Sequence, residues 1–104
     1  MSIKKSTIID YYLEQTDKYF KKYGEKSFVM LESGHFMEIY DYVGDSRHMK
    51  ICQDILNIMV TRRDKSDIHS PYMAGIPTHS IKRYYNILLK NNFTIIIITQ
   101  ISPP

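Results

Sequence analysis

Between residues 6 and 23, Ile8, Ile9, Tyr12, Leu13, Tyr19, Phe20 and Tyr23 recur at three- and four-residue spacing, and Asp10, Glu14, Asp17, Lys18, Lys21 and Lys22 fill the positions between them. That period predicts an amphipathic helix, with Gly24 placed to end it. The period then shortens. Residues 27–32 and 35–40 are two runs rich in aromatic and branched residues, parted by Ser33 and Gly34. They predict two antiparallel strands joined by a tight turn.

After the turn-prone residues 41–46, Met49, Cys52, Ile55, Leu56 and Met59 form a second helical stripe, with Asp45 or Ser46 as its N-cap and Asn57 at its end. Residues 58–61 predict a further strand. Residues 62–71 are a polar connection of the length that often carries function. Residues 72–76, closed by Pro77, form a short extended piece. A third helix is predicted from its cap Thr78 to Asn91 or Asn92, turning Ile81, Tyr84, Tyr85, Leu88 and Leu89 inward and Lys82, Arg83 and Lys90 outward. The isoleucine run at 94–99 has the pattern of a strand covered on both faces. This order predicts an α/β (α+β) fold, one mixed sheet flanked by about three helices.

Composition narrows the class without choosing a function. A chain of 104 residues, 43% hydrophobic and 24% charged, has the size of one globular domain and no room for a second. Its lone cysteine, Cys52, has no partner for an intrachain disulfide, so the expected setting is a reducing, intracellular one. Neither a signal sequence nor a run able to span a membrane is expected. The formal charge of +3 permits a nucleic-acid partner without demanding one.

The second predicted strand carries the most informative pair. Alternation puts Phe36, Glu38 and Tyr40 on one face, the first two about 7 Å apart, and Met37 and Ile39 on the other. On pattern alone, the reading that prevails is Phe36 as a core aromatic and Glu38 as a solvated edge residue, since aromatic residues are ordinary strand formers. Three basic groups stand out: Lys18, Lys21 and Lys22; Arg62, Arg63 and Lys65; Lys82, Arg83 and Lys90. Each has the look of a solvated face, and the second, set in the long loop near Ser66 and Ser70, is the one placed to hold phosphates. His35, His48, His69 and His79 share no metal-ligand spacing, and no metal is expected. Gly24, Gly34, Gly44 and Gly75 are isolated, so the chain has no phosphate loop and is not itself an ATPase.

Over about residues 18–100 these segments resemble the N-terminal mismatch-recognition domain of the MutS family of DNA mismatch repair proteins. Gly34, His35, Phe36, Met37 and Glu38 look like the family's Phe-x-Glu motif, and Val60, Thr61, Arg62 and Arg63 like its Leu-Thr-x-Arg segment. The run from Met73 through Ala74, Gly75, Ile76, Pro77 and Thr78 to His79 is similar to its Met-Ala-Gly-hydrophobic-Pro-x-His block, and Gln100 matches the Gln of its Cys-Glu-Gln. Four blocks in order make the resemblance specific. The chain departs from the pattern at His35, where Asp is usual, and at Ile98 and Thr99, which replace Cys and Glu; residues 41–46 also look longer than usual.

The resemblance implies a DNA-binding domain without catalytic residues. Phe36 would enter the minor groove and stack on a mispaired base, kinking the duplex, and Glu38 would hydrogen-bond that base. Arg63, Ser66 and Arg62 would be the candidates for contacts to the DNA backbone. The partners implied are double-stranded DNA with mismatches or small loops and the remaining domains of a longer MutS-like protein acting as a homodimer or heterodimer. ATP and Mg would belong to those other domains, and residues 101–104 would begin a linker to them. Two other classes stay open on the residues: a metal-dependent nuclease built on Glu32, Glu38 and Asp41, and an interaction module that kept the fold and lost DNA. A buried Phe36 would favour the module, an exposed one the wedge.

Overall fold

In the computed structural model, which describes residues 5–99, the first apolar stripe becomes helix α1 (Lys5–Tyr23). Ile9 and Tyr12 are buried, and Ile8, Leu13 and Tyr19 pack against the core. Gly24 then takes φ +77, a left-handed conformation that costs glycine little, and the helix gives way to a 3-10 turn over Gly24–Lys26. The match at Gln100 and the linker expected at 101–104 lie outside the described residues.

Strands β1 (Ser27–Ser33) and β2 (Phe36–Asp41) form the predicted hairpin, with Gly34 and His35 as its two-residue turn and Ser33 paired with Phe36. His35 therefore sits in the turn and not at the head of the strand. Of the two turn residues only Gly34 has positive φ, +60, the pattern of a II′ turn whose twist suits a two-residue hairpin. Ser46 caps helix α2 (Arg47–Lys50), its hydroxyl accepting from the Met49 N–H, and the helix widens into a π-helical turn over Ile51–Ile55. Asn57 ends it in the left-handed region at φ +55.

Several boundaries differ from the sequence reading. In place of a strand at 58–61, β3 is only Thr61–Arg62. The Ile58 N–H is committed to the Cys52 carbonyl in closing the π-turn, and Met59, counted on the apolar stripe, is 80% exposed. The short extended piece is a full strand, β4 (Tyr72–Pro77), paired with both β2 and β3. Helix α3 (Ile81–Lys90) starts after a 3-10 turn over Thr78–Ser80. Thr78 is not its cap: it opens the 3-10 turn, Ser80 holds the position before the helix without a side-chain bond, and the Thr78 N–H is donated to the carbonyl of His35 at 2.8 Å. At the far end Asn92 has φ +64, and the N–H groups of Asn92 and Phe93 return to the carbonyls of Leu89 and Leu88, a Schellman closure that buries Phe93 and Leu88. Leu89, predicted to face inward, is exposed.

The strands form one mixed sheet in the order β3-β4-β2-β1-β5, with β5 (Thr94–Thr99) parallel to β1 and the other pairs antiparallel. The isoleucine run is therefore an edge strand, not one covered on both faces, and Ile97 is exposed. Helix α1 lies over the face that carries Leu31 and Tyr40, and α2 packs on the opposite face, where the His48 ring stacks on Phe28 at 5.0 Å. Val29, in the middle of β1, is held by side chains from both layers. Its carbonyl accepts from the Tyr12 hydroxyl at 2.7 Å, and its N–H donates to Nε2 of His48 at 3.1 Å. Burial first, and the neighbouring Arg47 charge second, push His48 down to about 3, so it stays a neutral acceptor at physiological pH. Burial likewise pushes the Cys52 thiol up to about 12, which leaves it unreactive.

Candidate nucleic-acid interface

Burial is graded along one face of β2. Phe36, next to the turn, is 47% exposed; Glu38 is half-buried; Tyr40 is buried under α1. Met37 and Ile39 point the other way into the core, so the strand is anchored by one side chain set and presents the other. Across the ladder Glu38 stands opposite Gly75 of β4 on one side and Leu31 of β1 on the other. The absence of a side chain at Gly75 leaves space beside the Phe36 ring. The bond from Thr78 to His35 ties the hairpin tip to the start of the next element, so an exposed aromatic sits on a braced support.

Glu38 and Tyr40 line a small hollow of about 90 Å³ together with Ile8, Ile9 and Arg63. Burial pushes the Tyr40 hydroxyl up to about 12; the nearby Glu38 carboxylate adds to the rise, and Arg63 partly offsets it. The Arg63 guanidinium carbon lies 5.9 Å from the Tyr40 ring centroid, and its backbone N–H is fixed on the Pro71 carbonyl at 2.8 Å. The fold thus brings Phe36, Glu38 and Arg63 to one side of the sheet.

Arg62 and Ser66 are placed differently. The Arg62 guanidinium donates to the carbonyls of Ile68 and Ser70 and to the Tyr72 hydroxyl, and lies 4.6 Å from the centre of the Tyr72 ring. It closes the long loop on itself. Ser66 is exposed on that loop, its hydroxyl and N–H both donating to Asp64, bonds that hold the Asp64 carboxyl below the usual range. The nuclease trio does not converge, because Glu32 and Asp41 share the face of Met37 and Ile39 and Glu38 lies on the other. Among the described residues no group of three or more His, Cys, Asp or Glu is arranged to hold a metal ion, and no described helix is long and apolar enough to cross a membrane.

Alternation puts Tyr40 on this face but does not indicate a task for it, and Gly75 stands isolated in the sequence. A glycine inside a strand pattern often marks a close approach, and that was the available signal.

Comparison with known proteins bears on this arrangement. The family model for MutS domain I matches residues 9–104. A DNA mismatch repair mutS homolog of Acanthamoeba polyphaga mimivirus is 31% identical over 93% of this chain and 9% of its own length. The DNA mismatch repair protein MutS of Streptococcus gordonii is 29% identical over 81% of this chain and 9% of its own, and the protein HexA of Streptococcus pneumoniae is similar to the same extent. The chain spans about a tenth of the length of these relatives.

Proposed function

Since the chain belongs to the MutS domain I family, we propose that it reads mispaired DNA through the hairpin tip. The observation that carries the proposal is the 47% exposure of Phe36 on a strand whose alternate residues are buried. An aromatic ring in that position enters the minor groove and wedges between bases. Unstacking costs a few kcal/mol at a paired step and less at a mismatch, so the wedge selects weak points in the duplex and not a sequence.

Glu38 then hydrogen-bonds the displaced base. Against a normal pair, where no base is displaced, the acidic side chain is repelled by the phosphates of the backbone, so the same residue weakens binding to intact DNA. Arg63, facing the hollow beside Glu38, supplies the nearest positive charge for a phosphate, with exposed Ser66 further along the loop. Arg62 contributes by holding that loop in shape.

In this reading the chain is the recognition part of a longer, dimeric MutS-type protein. ATP and Mg are used by its other parts, and this domain has no catalytic role. The test is the affinity of the intact protein in which the chain occurs for a duplex with one G·T mismatch and for its matched twin. Phe36→Ala should abolish the preference; a preference that survives the change overturns the wedge.

A further inference from the structure

We infer that Tyr40 is the positioning residue for Glu38, its hydroxyl holding one carboxyl oxygen so that the other faces the base displaced by Phe36. The inference rests on the mismatch-reading function proposed above and adds a residue to it. Three observations carry it. Tyr40 follows Glu38 by two residues on the same strand, so both project from one face, and both line the same hollow of about 90 Å³. The Tyr40 ring cannot swing, since it is buried and meets Tyr12 edge-on at 6.1 Å. The Tyr40 hydroxyl has no other side-chain partner among the described residues, and the Glu38 carboxylate that shares its hollow adds to the rise in its pKa. A glutamate has three rotatable bonds and gains most from such a fixed partner. Ile8, Ile9 and Leu31 give the hollow apolar walls, against which a bond between the two side chains is stronger than in open water. Arg63 lines the same hollow and lies 5.9 Å from the centre of the Tyr40 ring, which helps to hold that ring in place.

Tyr40→Phe removes the hydroxyl and leaves the ring. In the intact protein it should lower the ratio of G·T to matched-duplex affinity by about fivefold, the worth of one net hydrogen bond, while the melting temperature moves little. The decisive measurement is a double-mutant cycle. In a Glu38→Ala background Tyr40→Phe should have no further effect on the ratio, whereas in a Glu38→Gln background, where the amide oxygen still accepts from Tyr40, it should keep its cost. Equal effects in the native and Glu38→Ala backgrounds, or no effect in the native one, overturn the inference and leave the wedge standing. A native protein that does not prefer the mismatch overturns the reading of the site, and this inference with it.

Discussion

The ring of Phe36 lies beside Gly75 across the β2–β4 ladder, near enough that a Cβ built on the glycine would come 3.7 Å from Phe36 Cδ1. That is ordinary van der Waals contact, so the glycine admits one methyl group and little more. Gly75→Ala should keep the fold, with a stability change within about 1 kcal/mol, since a strand interior gains from losing glycine what the contact takes back. Gly75→Val should displace the ring and reduce mismatch preference with a near-native melting temperature. Thermal unfolding and duplex affinity, measured side by side, separate the two; unchanged preference in the valine variant would show that the neighbour does not set the ring.

Stability should fall as the solution is acidified, through His48. Its folded value, about 3, lies below the ordinary value of 6.5. The unfolded chain therefore takes up the proton first, and the contribution of His48 is complete above pH 6.5 and is lost progressively toward pH 3. The slope expected is up to about 1.4 kcal/mol per pH unit in that window. Urea unfolding at pH 7, 6, 5 and 4 measures it. His48→Gln can still accept from Val29 but does not titrate, and should flatten the curve; an unchanged slope would assign the acid sensitivity elsewhere.

Tyr12→Phe should destabilise the domain by about 1–3 kcal/mol, the cost of leaving a buried carbonyl without its donor. The ring itself is fully buried and keeps its edge contact with Tyr40. Chemical denaturation checks the magnitude, and a loss under about 0.5 kcal/mol would mean that Val29 finds another partner.

Arg62→Ala should loosen residues 63–71 and spare the rest of the sheet. The guanidinium is bonded to two loop carbonyls and the Tyr72 hydroxyl, and it covers the Tyr72 ring. Amide hydrogen exchange should quicken by tenfold or more across the loop, corresponding to about 1.4 kcal/mol of local opening, with β1 and β2 unaffected. Arg62→Lys should rescue little, because an ammonium does not reproduce the planar fork.

Elements with a strict period were legible from the chain: α1, the hairpin and α3 stand near their predicted places, and the shared face of Phe36, Glu38 and Tyr40 follows from alternation alone. The position of β5 was not legible, since a run of isoleucines looks the same at the edge of a sheet as at its centre. Nor was the 3-10 turn that puts Thr78 before the helix instead of at its cap; its N–H goes to His35, distant in sequence and adjacent only once β4 pairs with β2. The work of His48 and Arg62 was hidden for the same reason. Their partners are backbone atoms of other segments, and the identity of a residue does not say which carbonyl or N–H will face it.

The parallel pairing of β5 with β1 orders events in time. The hairpin joins neighbours in sequence and can form within microseconds, but Ser27 meets Thr94 only after the whole intervening chain has been threaded across the sheet. During synthesis the outer side of β1 therefore stays unpaired until β5 has left the ribosome. The hairpin that bears Phe36 can therefore form before the strand that completes the other side of β1 is available.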